Sequence, residues 1–137
     1  MDILIIDGQG GTLGRQLTKR LKEAMPKADD TAVGTNSTAT ENMLKGGADH
    51  AATGENAVIV NARRAKVIAG PLGIVIADAL LGEVTPAMAR AVGQSDAVRV
   101  LIPMNRCDTL VAGVGEKPMG ELVEDAVGRI VSLQKAD

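Results

Sequence analysis

Residues 1–25 read MDILIIDGQGGTLGRQLTKRLKEAM. The short apolar run DILIID, residues 2–7, predicts a strand covered on both faces. GQGGTLG follows from Gly8 to Gly14, and beyond it Leu13, Leu17 and Leu21 recur every four residues. That spacing gives one apolar helical stripe with the charges opposite it, and Pro26 stops the helix. A strand, a glycine-rich turn and an amphipathic helix thus open the chain.

The alternation continues. Thr31–Val33 predicts a second strand, and Thr38-x-x-Glu41 has the form of a capping box opening a second helix. Asp49–Thr53 predicts a third strand. AVIVNARRA, residues 57–65, is rich in branched side chains but is read as a helix. Parallel strands need a crossover of that size, and Arg63-Arg64 suits a helix C-terminus. Lys66–Ala69 predicts strand four, IVIADALLG (74–82) a buried helix, and Thr85-Pro86 a helix start. Ala97–Ile102 is strand five, Leu110–Val114 a sixth, and the last helix begins near Pro118. Strands alternating with helices predict a three-layer α/β sandwich with a mainly parallel sheet of five or six strands. With no linker or repeat, residues 1–137 are expected to form one domain.

Composition narrows the function. The chain is 45% hydrophobic and 23% charged with a net charge of −2, so it lacks the basic balance that nucleic-acid binding demands. Phe, Tyr and Trp are all absent, which removes base-stacking platforms and any tyrosine acid or base. Cys107 is the only cysteine and His50 the only histidine, so neither a disulfide within the chain nor a Cys-x-x-Cys site can form, and no metal site is expected. The N-terminus reads as a strand rather than a secretion signal. The longest apolar run, Val67–Ala77, is too short to span a bilayer and is broken by Gly70, Pro71 and Gly73. A cytoplasmic protein without membrane or nucleic-acid partners is the expectation.

In sheets of this kind ligands sit outside the carboxyl ends of the strands, near the point where strand order reverses. The glycine, amide and hydroxyl residues cluster there: Asp7 with Gly8, Gly10, Gly11 and Gly14; Gly34-Thr35-Asn36; Gly54-Glu55-Asn56; Gly70; and Asn105-Arg106-Cys107. Gly8, Gly11 and Gly14 fit G-x-x-G-x-x-G between a strand and a helix, the context in which backbone N–H groups cradle a phosphate. A glycine-rich turn that only lets helix and sheet approach closely would carry the same spacing. Gly14 is followed by Arg15-Gln16, so this is not a Walker loop. At the end of strand two, Thr35 and Asn36 replace the acid that holds the ribose of NAD, leaving NADP, another nucleotide or a phosphorylated metabolite open. Arg106, in its loop, is the better clamp for an anion; Arg63-Arg64 suit a helix end equally well. Asp7 and Glu55 are candidate acids or bases, although Asp7 could simply accept bonds from loop amides. Cys107 is a candidate nucleophile, although a nucleophile needs a base and His50 falls at the opposite edge. Asp29-Asp30 and Glu121-Glu124-Asp125 read as solvated surface.

Over its first 36 residues the spacing resembles that of the short-chain dehydrogenases, but their catalytic Tyr-x-x-x-Lys cannot exist here. A resemblance over nearly the whole chain rests on six strings: IDGQGG, GTN (34–36), ATGEN (52–56), GPLGI (70–74), LLGEVTPAMA (80–89) and IPMNRC (102–107). These resemble a family of short bacterial proteins of unknown function, and the resemblance implies a Rossmann-like fold. Three functions are weighed: binding of a nucleotide or phosphorylated small molecule at the glycine loop; an isomerase or lyase acting on a phosphorylated or carboxylated metabolite; and a non-catalytic homodimer built on the apolar face of Ile74–Val84.

Overall fold

The computed structural model describes residues 2–104 and 108–135. Its elements are β1 (Asp2–Asp7), α1 (Thr12–Ala24), β2 (Asp29–Gly34), α2 (Ser37–Lys45), β3 (His50–Thr53), α3 (Glu55–Arg64), β4 (Val67–Pro71), α4 (Pro86–Gln94), β5 (Val98–Ile102) and α5 (Met119–Lys135). All neighbouring strands pair in parallel, in the order β3-β2-β1-β4-β5. From β1 the chain steps outward to β2 and β3, then returns to place β4 on the other side of β1. The strand order therefore reverses between β1 and β4.

The period-2 alternation of β1 divides the core. Ile3 and Ile5 face one layer with Leu13, Leu17 and Leu21 of α1, Met43 of α2, and Val123, Val127 and Ile130 of α5. Leu4 and Ile6 face the other, with Val58 and Ala62 of α3 and Met88 and Val92 of α4. Burying apolar side chains at about 25 cal/mol per Å² on both faces is what makes β1 the central strand. The result is a three-layer α/β sandwich of Rossmann-like form, and the helix expected over residues 57–65 is present within α3. No described helix is long and apolar enough to cross a membrane.

Four expectations need correction. Helix α2 is capped by Asn36, whose side chain accepts from Ala39 N at 2.9 Å, rather than by a Thr38–Glu41 box. An extended Asn36 at the end of a strand-to-helix turn reaches the free amides first. Residues 74–82 are not a helix. A short 3-10 turn, Leu72–Val75, gives way to a loop in which Asp78, Leu80, Leu81 and Gly82 all have positive φ. Ile74, Ala79, Leu80 and Val84 are buried against the sheet layer, so the apolar run serves a loop folded down on the protein and presents no helical face. The loop is closed at its base by Asp78 N to Val84 O (2.7 Å) and Val84 N to Ala79 O (3.1 Å). No sixth strand forms at Leu110–Val114 among the described residues; Val114 N turns back on Val111 O, and Gly113 is left-handed.

The fourth correction concerns Asp30. It belongs to β2 and its side chain is wholly buried, with neither carboxylate oxygen hydrogen-bonded among the described residues. Lys22 Nζ lies 3.8 Å from Oδ2, and Asp49 accepts the Asp30 amide at 2.9 Å. Burial pushes the Asp30 carboxyl up to about 6, against the pull of Lys22.

Candidate functional site

Asp7 ends β1 and is almost fully buried. Its Oδ1 accepts from Gly8 N (2.8 Å) and its Oδ2 from Gly14 N (2.7 Å), so one carboxylate ties the start of the glycine loop to the first turn of α1. Burial pushes the Asp7 carboxyl above its ordinary range; the Gly14 and Gly8 amides oppose the rise and the charge on Glu83 adds to it.

The loop itself closes through Gly11 N to Gly8 O at 3.0 Å. Gly11 has φ +74°, and a Cβ there would lie 2.6 Å from Ala39 Cα, so glycine is needed for α1 and α2 to meet. Gly14 sits equally close to Met43 and Asp7. Gly70 is buried in β4 against the Ile6 carbonyl. These three glycines have a packing role whether or not a ligand binds. Gly10 differs: it is exposed and a Cβ would meet nothing nearer than Thr12 Oγ1 at 3.9 Å.

What covers the loop comes from the far side of the reversal point. Glu83, in the loop between β4 and α4, places Oε1 2.9 Å from Gln9 N, 2.7 Å from Thr35 Oγ1 and 2.7 Å from Asn36 Nδ2. Three donors from the loops after β1 and β2 thus converge on one carboxylate oxygen. Burial alone would push the Glu83 carboxyl up; the bonds from Gln9, Thr35 and Asn36 outweigh it and hold the group below its usual range. A Cβ added at Gly8 would lie 2.5 Å from Thr35 Oγ1, 2.8 Å from Leu80 Cδ1 and 3.0 Å from Glu83 Oε1. Negative charge is seated on the loop, and it belongs to the chain. The backbone N–H groups of Gly10, Thr12 and Leu13 meet no acceptor among the described residues.

The sequence missed Glu83. The signal was present in its position, an acid between a glycine and the Thr85-Pro86 helix start in a loop following strand four. Reading residues 74–82 as a helix hid it. Asn36 also donates to Gln9 O (2.9 Å), and Asn42 to Gly10 O, so α2 braces the glycine loop.

The other expected residues divide. Glu55 and Asn56 open α3 and are exposed; Glu55 accepts from Thr85 Oγ1 at 2.6 Å and so steadies the start of α4. Arg63 and Arg64 end α3 at the opposite edge of the sheet, where Arg64 borders a hollow of about 500 Å³ with Asp2, Asp29 and His50. They do not reach the glycine loop. His50 pairs there with Asp29 at 3.0 Å. Asn105, Arg106 and Cys107 lie outside the described residues. No group of three or more His, Cys, Asp or Glu side chains among the described residues could hold a metal ion.

Among solved structures, the chain is similar to a dodecameric FMN-dependent Ubix-like decarboxylase from Escherichia coli O157:H7, at 15% identity and a TM-score of 0.49 over 98% of this chain and 94% of that one. No curated protein matches it. Residues 2–135 match the profile of a family described as a domain of unknown function, DUF3842, and the chain belongs to that family.

Proposed function

We propose that the protein binds an anionic small molecule, a nucleotide or another phosphorylated metabolite, at the carboxyl edge of β1 and β2. Gln9, Gly10 and the first turn of α1 receive the phosphate, and Thr35 and Asn36 orient it. The observation that supports this reading is the convergence of the Gln9 amide, the Thr35 hydroxyl and the Asn36 carboxamide on a single anionic oxygen. Donors carried by the separate loops after β1 and β2 do not gather this way by the chemistry of either turn alone. The amides of Gly10, Thr12 and Leu13, which follow Gln9 in the chain and lead into α1, have no acceptor among the described residues. Uncharged Thr35 and Asn36 suit a ligand with phosphate near the end of β2, so NADP stands beside mononucleotides and sugar phosphates as a candidate.

A thermal-shift panel of NADP, NAD, AMP, ATP, FMN and sugar phosphates tests it. A true ligand at a hundred times its Kd contributes about 2.7 kcal/mol, a rise of roughly 8 °C for a domain of this size. Gly10→Asp places a negative charge beside the open amides in space the fold leaves free. It is expected to leave the unliganded Tm no lower than that of the wild type and to abolish the shift. A panel without a single stabiliser, or a shift that survives Gly10→Asp, would refute the reading.

A further inference from the structure

We infer that Glu83 is a tethered stand-in for the phosphate of the ligand, holding the site closed until a phosphate monoester displaces it. The inference rests on the phosphate reading given above. Glu83 engages its three donors through Oε1 alone, Oε2 takes part in none of these bonds, and the residue is only half-buried. The side chain can rotate away without opening the loop that carries it. The base of that loop stays pinned by the bonds between Asp78, Ala79 and Val84, and Leu80 remains buried beneath.

Electrostatics makes the exchange exclusive. Asp7 is already a buried carboxylate under the loop, and Glu83 disfavours its charge. A phosphate and Glu83 cannot both occupy the same donors above Asp7 without stacking a further like charge. Geometry favours phosphate as the incoming group. A carboxylate satisfies the Gln9, Thr35 and Asn36 donors and stops there. A tetrahedral anion presents further oxygens to the Gly10, Thr12 and Leu13 amides that Glu83 leaves unmet. The donors that select the ligand are thus kept ordered in its absence by an internal competitor.

The test is a titration of inorganic phosphate at constant ionic strength and pH 7.5, followed through the backbone amide resonances of Gln9 and Gly10. Wild type, Glu83→Ala and Glu83→Gln are compared. Glu83→Ala is expected to bind phosphate at least tenfold more tightly than wild type. Glu83→Gln, which keeps an acceptor but loses the charge, should fall between, and it decides the matter if the alanine variant does not fold. Equal or weaker affinity in the variants overturns the stand-in while leaving the phosphate site intact. No response of Gln9 or Gly10 in any of the three proteins overturns both.

Discussion

Replacing Gly11 by alanine is expected to lower stability by roughly 3 kcal/mol, whereas the same change one residue earlier, at Gly10, should stay within about 0.5 kcal/mol. Both glycines belong to one loop and look interchangeable in sequence. At Gly11 the new methyl group would press on the Ala39 backbone at 2.6 Å, and the backbone sits at φ +74°, which an L side chain tolerates poorly. Strain and overpacking therefore add. At Gly10 the methyl group meets open space. Thermal melts should separate the two variants by about 9 °C. Similar melting temperatures would mean that α1 and α2 do not meet through this glycine, and that the loop is shaped by something else.

Asp30→Asn is expected to flatten the pH dependence of stability between about pH 4 and 6. The folded pKa of Asp30 is raised to about 6 from an unfolded value near 3.9. The native state therefore holds a proton that the unfolded chain has already released. Stability from this group is full below the unfolded pKa and is lost as pH rises through 6, at most about 3 kcal/mol by pH 7. Asp7, also raised, works in the same direction. Asp49, Glu83 and Glu124 are lowered and act the other way, but only in more acidic solution. Lys22, Asp49 and Asp29 are the charged groups around Asp30, and the substitution leaves all three in place. Wild type should then melt higher at pH 5 than at pH 7, and the variant should lose most of that difference. An unchanged difference would show that Asp30 ionises as freely as an exposed carboxylate.

The parts of the fold legible in the sequence are those governed by short-range periodicity. Leu13, Leu17 and Leu21 mark α1 because a helix repeats its face every 3.6 residues. Thr85-Pro86 marks α4 because a hydroxyl cap and a proline at the first position need only local geometry. α3 was recoverable against its β-branched composition, because a parallel crossover had to be spanned. The rest depended on distant partners. Glu83 meets Gln9, Thr35 and Asn36 across 74, 48 and 47 residues, so nothing near it in sequence distinguishes it from a solvated acid. Asp30 is buried by Lys22 and by the residues leading into β3, which no local pattern around it announces. The apolar run 74–82 misled for a related reason: hydrophobicity reports that a segment is covered, not which backbone conformation covers it.

Leu81 stands 96% exposed at the tip of the loop that carries Glu83. In a chain without aromatic residues, a protease that cuts after bulky apolar side chains finds few such handles, and this is one. Scission there would not release either fragment, since β4 and β5 lie on opposite sides of the break and pair with each other. The nick would fall one residue before Glu83, between two strands that stay paired, so it would be seen as a cut band on a denaturing gel and not as two separated fragments.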